Sequence, residues 1–270
     1  MRAWGRQIAA AVCLAAAVVC GIAGRMTAQK GGVFPVSAVS WERVTLAEVR
    51  QIREQEAGRA DAADFTAWRE EKEARVTTED GFFGTQATLI RLSGSSEHLP
   101  FGGGIIDEDD TDGCFIGETV AERLFGNREA EKLSVVCGDR TFTVRGVLKE
   151  PAEIVVFQEN AADADFDRIV FARGTKESVC DAFLNRYGLS RMEIRGGLSL
   201  RKLIPGKWSD FAGWQSNAAA EENRLRRQRA LPASVFELQE EARRRKGGIL
   251  LAGGVLFLFA GLRIGGFQRN

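Results

Sequence analysis

Two apolar stretches near the ends of this 270-residue chain constrain everything placed between them. The second, GGILLAGGVLFLFAGLRIGGF over 247–267, is rich in leucine, isoleucine, valine and phenylalanine. Each such side chain favours a bilayer interior by about 0.3–0.6 kcal/mol. Together they outweigh Arg263, which costs at most about 3 kcal/mol and less when it reaches toward the headgroups. A C-terminal transmembrane helix is therefore expected. The first stretch, IAAAVCLAAAVVCGIA over 8–23, falls short of the roughly 20 residues that span a bilayer comfortably. It is expected to be a short anchor or a signal-peptide core cleavable after Ala23, and Val19 disfavours a lipoprotein site at Cys20. Within it Ala9, Cys13, Ala17 and Gly21 recur every four residues, giving a helix one smooth face for packing on a neighbour.

Charge does not orient these segments cleanly. Arg25, Lys30, Arg243, Arg244, Arg245 and Lys246 lie on the inner side of the apolar stretches, against Arg2, Arg6, Arg263 and Arg269 on the outer side. A naive count would put the middle of the chain in the cytoplasm. Long domains, however, are translocated largely regardless of charge, so an extracytoplasmic domain is expected. Across the chain 37 basic residues are cancelled by 37 acidic ones. No global basic field exists to hold nucleic acid, and that class of partner is set aside. Cys13 and Cys20 fall in the apolar segment, which leaves Cys114, Cys137 and Cys180. At most one disulfide and one thiol are expected, with three buried thiols the favoured reading.

Along the middle, Leu46, Val49 and Ile52 have helical spacing, and Thr45 with Glu48 forms a capping box. A second helix or irregular segment is expected over 64–74, containing Phe65 and Trp68. The run 85–92 alternates as a strand, and SGSSEHLPFGGG after it reads as a loop. The most patterned block is 113–150: a short strand at 114–116, a helix at 119–125 stopped by Gly126, and strands at 133–137 and 141–148 flanking the hairpin signal Gly138-Asp139. Short strands at 154–157 and 169–171, a helix over 176–187 and a strand at 191–194 complete the pattern.

These residues carry a resemblance. The order Ile116, Glu118, Ala121, Leu124, Phe125 and Gly126, a hairpin strand, then Phe142, Thr143, Val144, Gly146, Val147, Leu148 and Lys149 resembles the extracytoplasmic core domain of MacB-type ABC transporter permeases. Asp167, Ile169 and Phe171 fit the strand that follows in such domains. Trp68, Val76, the 85–92 strand, Gly94 and Phe101-Gly102-Gly103 fit the part that precedes it. The resemblance covers about residues 40–200 and implies an ABC ATPase and other permease subunits as partners. This sequence departs from the family in carrying one apolar segment after the domain instead of three, and it has no GxxxxGK[ST] loop. Energy for transport is expected to come from a partner.

Isolated chemical candidates are weak. His98 is the only histidine, so any Ser-His-Asp triad or Cys-His dyad would run through its Ser- and Gly-rich loop. No His/Cys cluster has zinc-ligand spacing. Asp107, Glu108, Asp109, Asp110 and Asp112 offer carboxylates for calcium without the glycine and terminal glutamate of an EF-hand, so a solvated loop is preferred. Gly102 to Gly104 are followed by no helix that would present amides to a phosphate. The basic clusters 225–229 and 243–246 either touch anionic headgroups or form the solvated face of a helix with Glu221, Glu222, Glu240 and Glu241. Trp208, Phe211 and Trp214, after Pro205-Gly206, are expected at a membrane interface, with packing under the domain as the alternative.

The resulting expectation is an α+β chain with a mixed/antiparallel-sheet extracytoplasmic domain of two subdomains, flanked by an N-terminal and a C-terminal transmembrane helix. Residues 1–30 are a signal anchor or transmembrane helix, 31–205 the MacB-like core domain, 206–246 a juxtamembrane aromatic and basic helical segment, and 247–267 the C-terminal transmembrane helix. Its role is that of a permease-like component in the cell membrane, coupling to partner subunits or an exported substrate. A stand-alone tethered binding or scaffold protein is the alternative. The partners are the lipid bilayer, an ABC ATPase and other permease subunits, with oligomerisation open. No catalytic, cofactor-binding or metal-ligating residues are expected.

Overall fold

The computed structural model describes residues 12–23, 36–99, 105–149, 153–195 and 211–266. The expectations resting on Arg2, Arg6, Ala9, Arg25, Lys30, Phe101 to Gly104, Pro205, Gly206, Trp208 and Arg269 lie outside them, as do the side chains of Phe211, Trp214, Glu221, Glu240, Arg244 and Arg263. The chain separates into two compact units, Phe34–Ser234 and the two terminal segments taken together.

In the larger unit the order is β1 (Ser37–Thr45), α2 (Leu46–Ala57), β2 (Phe65–Thr78), β3 (Gly84–Ser93), β4 (Gly113–Gly117), α3 (Glu118–Phe125), β5 (Ser134–Cys137), β6 (Arg140–Leu148), β7 (Ile154–Gln158), β8 (Asp165–Phe171), α4 (Glu177–Arg186), β9 (Glu193–Arg195) and α5 (Phe211–Ala230). The terminal unit holds α1 (residues 12–23) and α6 (Val235–Gly266). This is a mixed α+β fold.

Strand β2 organises the sheet. It pairs with β3 along most of its length, with β8 through Phe65 to Trp68 and with β5 through Val76 to Thr78. From β3 the pairings continue to β7, β4, β6 and β5, which returns to β2, so six strands close on themselves and leave no free edge in that part. Alternate residues Phe142 and Val144 of β6, with Val135 and Cys137 of β5, are buried. They belong with Val120, Ala121 and Leu124 of α3 to one core. The amphipathic reading of α3 and its stop are correct: Gly126 takes the left-handed conformation at φ 67°.

At the other end of β2 a second core forms under β8, β1 and β9, with helices α2 and α4 packed on it. Phe183 of α4 anchors it, its ring centroid 4.9 Å from Phe65, 5.3 Å from Phe171 and 5.0 Å from Tyr187. Helix α2 starts at the expected capping box, where Thr45 Oγ1 accepts from the Glu48 amide and the Glu48 carboxylate accepts from the Thr45 amide. Near its other end the buried Glu56 carboxylate accepts from the Ala63 amide at 2.6 Å, Arg186 Nη1 at 2.5 Å and the Tyr187 hydroxyl at 2.6 Å. One carboxylate thus ties α2 to the approach to β2 and to the end of α4.

One expectation fails. The segment 64–74 is no helix but the first part of β2. Its Arg-Glu-Glu-Lys-Glu-Ala-Arg run is made of good helix formers, and the strand ladders to β3 and β8 override that local preference. The exposed middle of the strand tolerates the charges because Glu71 pairs across to Arg91. The register shifts between Glu71 and Ala74, a bulge in which Glu73 adopts φ 58°. The three thiols of the larger unit, Cys114, Cys137 and Cys180, are free and buried. Burial pushes the Cys137 and Cys180 thiols up to about 12, leaving no reactive thiolate at neutral pH.

Burial works to raise the Glu56 carboxyl, but the hydrogen bonds from Tyr187, Ala63 and Arg186 outweigh it and hold the group below its ordinary value of 4.5. Its stabilising contribution is therefore present above about pH 4.5 and lost as pH falls through the depressed value. Glu56→Ala should lower stability by about 1–3 kcal/mol, since it leaves the Ala63 amide and the Tyr187 hydroxyl without their acceptor while Arg186 keeps Asp61. Glu56→Gln should flatten the acid limb of a urea-unfolding series taken against pH. Gly94 sits at φ 122°, and an added Cβ would lie 3.1 Å from the Phe65 carbonyl and 3.0 Å from Thr66 Oγ1. Gly94→Ala should cost at least about 2 kcal/mol in the same assay, whereas Gly58→Ala, which meets nothing within 4 Å, should be neutral or stabilising.

Candidate functional site

The feature with functional reach is where the chain leaves the larger unit. Helix α5 lies along α4 and β9: Arg224 pairs with Glu177 at 2.7 Å and Arg227 with Glu193. Arg226 pairs with Glu222 one turn earlier at 2.7 Å. Arg224 and Arg227, at and beside the cluster read as facing lipid or solvent, are thus bonded to acids of the domain. The sequence held no signal for this, because the partner acids lie more than thirty positions away.

After α5, residues 231–234 form a short strap whose Leu231 and Ser234 are buried. Three cations from three strands hold its carbonyl oxygens and those of the helix end. Arg195 Nη2 of β9 donates to the carbonyls of Gln228 at 2.7 Å and Leu231 at 2.9 Å. Arg168 Nη2 of β8 donates to Pro232 at 2.9 Å, and Lys72 Nζ of β2 to Ala233 at 3.5 Å. In return Gln228 Nε2 donates to the Ile194 carbonyl at 2.5 Å. Cations at a helix C-terminus meet both the unsatisfied carbonyls and the negative end of the dipole. Arg168 is itself buried, its guanidinium 5.2 Å from the centre of the Trp68 ring. Its neighbour Asp167 is raised above the ordinary carboxylate value by burial, which Arg168 and Arg69 only partly offset.

Beyond the strap, α6 belongs to the terminal unit and packs on α1. A Cβ at Gly254 would lie 3.2 Å from the Ala17 carbonyl, 3.4 Å from Cys20 Cβ and 3.4 Å from the Gly21 amide. Ala17 and Gly21 of the expected small-residue face therefore do meet a helix, and its partner position is also a glycine. Val18, Val19 and Ile22 of α1, like Val255, Leu256 and Phe259 of α6, are exposed. The apolar stretch 247–267 is helical to Gly266. Among the described residues no helix is long and apolar enough to cross a membrane.

The remaining sequence candidates have structural partners. His98 is buried, with Nδ1 3.0 Å from Thr66 Oγ1 and Nε2 3.1 Å from Asp64 Oδ2. The Asp64 carboxylate only accepts, so Nε2 carries the ring proton toward it, and the Thr66 hydroxyl is shared between His98 Nδ1 and the Ser95 carbonyl, 2.7 Å from Thr66 Oγ1. The cluster fastens the 95–98 turn to the start of β2. Of the acidic run, Asp110 is held by Arg145 through bonds of 2.8 and 3.1 Å, which draw its carboxyl below the ordinary value. Glu108 lies 3.6 Å from Arg53. Among the described residues no group of three His, Cys, Asp or Glu side chains is placed to hold a metal.

No family model matches the sequence, and no curated protein matches it. Two solved structures are similar in fold. The periplasmic region of MacB from Actinobacillus actinomycetemcomitans shares 12% identity, with a TM-score of 0.47, over 66% of this chain and 96% of that one. The extracellular domain of the ABC-type transporter YknZ from Gram-positive bacteria shares 13% identity, with a TM-score of 0.45, over 61% of this chain and 100% of that one. Both are domains of the class that the sequence resemblance names.

Removing the donor that holds two carbonyls should free the strap without unfolding the sheet. Arg195→Ala is expected to speed amide hydrogen exchange over 228–234 by about tenfold or more while exchange in β2 and β3 stays unchanged.

Proposed function

We propose that the chain is a membrane-anchored, permease-like component of an ABC transporter assembly, with its 36–234 domain outside the cytoplasm and α1 and α6 in the bilayer. The observation that carries this reading is the strap. Its backbone is gripped by Arg195, Arg168 and Lys72 up to the residues just before α6 begins. The domain thereby holds its own end through hydrogen bonds to carbonyls, which suits a domain that works against something attached after it. The exposed apolar faces of α1 and α6 support the membrane assignment, since such surfaces are stable against lipid or other apolar helices and costly in water. In this reading, work on the domain is supplied by an ABC ATPase and passed through further permease subunits.

The domain is read as doing no chemistry of its own. Its one histidine fastens a turn, and its thiols and the hydroxyl nearest the histidine, that of Thr66, are buried.

Purification of the tagged full-length protein in mild detergent, followed by mass spectrometry, should recover an ABC ATPase and a larger permease subunit. Recovery of the protein alone, or with surface proteins only, would replace this reading with that of a tethered binding or scaffold protein. In membranes taken before detergent is added, the chain should remain in the pellet after alkaline extraction, and release into the supernatant would remove the anchor from the proposal.

A further inference from the structure

The turn between β2 and β3, residues 79–83, is built to hold its shape. The Thr78 amide donates to the Phe83 carbonyl at 3.0 Å and the Gly81 amide to the Thr78 carbonyl at 2.9 Å. Thr78 Oγ1 accepts from the Phe83 amide at 3.2 Å and donates to Asp80 Oδ1, which also accepts from the Phe82 amide at 3.1 Å. Gly81 supplies the left-handed residue at φ 72°. Thr78 at the centre of this network is buried, yet Phe82 and Phe83 point out, 83% and 59% exposed. Turn positions ordinarily carry small or polar residues, so two adjacent exposed phenylalanines on a pre-formed turn are unexplained by folding.

Beside them lies a groove of about 670 Å³, lined by Phe83, Leu124, Phe125 and Leu133 together with three acids, Glu79, Asp80 and Glu122, and one base, Arg123. Leu133 is 40% exposed there. The charges of the groove do not cancel. Glu122 pairs with Arg128 at 2.5 Å and Arg123 with Glu153 at 2.7 Å. Among the described residues Glu79 and Asp80 have no cation in ion-pair range. The hydrogen bonds from Thr78 and the Phe82 amide hold the Asp80 carboxyl below its ordinary value, so it is charged at neutral pH.

This combination selects among occupants. An anionic lipid surface would attract the phenylalanines but be repelled by the carboxylates beside them. A second copy meeting the tip symmetrically would set carboxylate against carboxylate. A protein segment with an apolar face flanked by lysine or arginine matches both features.

We propose that the Phe82–Phe83 tip and its groove dock a basic, apolar-faced protein segment, its apolar side chains against Phe82, Phe83 and Leu133 and its cations against Glu79 and Asp80. The proposal leans on the tethered-component reading only in taking the partner to be a protein met on the domain's side of the membrane. Binding is read on the full chain alone, so loss of the ATPase partner in the purification experiment leaves this site untouched.

The probe is a fluorescent amphipathic helical peptide of leucine and lysine, with its leucine–glutamate counterpart as control, titrated by anisotropy against the full chain in zwitterionic nanodiscs after subtraction of empty discs. The lysine peptide should bind at least about tenfold more tightly than the glutamate peptide. Phe82→Ser with Phe83→Ser should weaken it by about tenfold or more, and Glu79→Lys by about threefold or more, with melting temperatures unchanged because these side chains are exposed. Equal binding of the two peptides, or unchanged affinity in the double variant, overturns the proposal. Anionic vesicles bound more tightly than the peptide through the same phenylalanines would overturn it in favour of a membrane surface. A self-association that the double variant abolishes would overturn it in favour of a second copy.

Discussion

Strand β2 gives backbone hydrogen bonds to three neighbours, and both hydrophobic cores exist because it does so. Its first residues close the sheet that carries β8, β1 and β9, and its last residues complete the ring of six strands. Between the two, the bulge at Glu71 to Ala74 re-aims the strand, so that Ala67 faces one core and Val76 the other. A chain that broke β2 in the middle would have two small cores with exposed edges. A chain that kept it straight would put one of its two apolar sets on the wrong face. From Trp68 to Thr78 the strand spans on the order of 30 Å at about 3.3 Å per residue, which makes it a rigid connection between the strap end of the domain and the turn at its tip.

The extremes of that strand are furnished differently. Near Trp68 it meets the buried Arg168 and, through Lys72, the carbonyls before α6. At Thr78 it becomes a turn whose polar groups satisfy one another while its phenylalanines do not bury. A domain whose task was only to be stable would need neither a buried arginine with Nε and Nη1 left, among the described residues, without hydrogen-bond partners nor an apolar tip in water. Both depart from local rules of good folding at places where nothing in the packing requires it, and such departures concentrate where a protein meets something else.

Much of this was legible in the residues. The capping box at Thr45, the Gly126 stop, the Gly138-Asp139 hairpin and the alternation of β3 and β6 are local signals, and each is found where the spacing predicts. The small-residue face at Ala17 and Gly21 is equally local and meets Gly254. What failed was β2, whose central residues are strong helix formers held extended by partners on either side. Strand β1, bulged between Val39 and Val44, was not recognised, because Ser40 to Arg43 interrupt its alternation. The strap was invisible for a different reason. Its partners, Arg195, Arg168 and Lys72, sit far off in sequence and bind carbonyl oxygens, which every residue possesses and no side-chain pattern announces.

That last property gives the strap an unusual kind of indifference. A grip on side chains fixes the identities of the residues gripped, whereas a grip on carbonyls fixes only the path of the backbone. The segment leading into α6 is thus free to change its own composition, so long as Leu231 and Ser234 keep buried positions, while the three donors are bound to their charge and reach. The segment 231–234 is held as in a socket and not as in a weld, so its own residues can diversify while the three donors stay as they are.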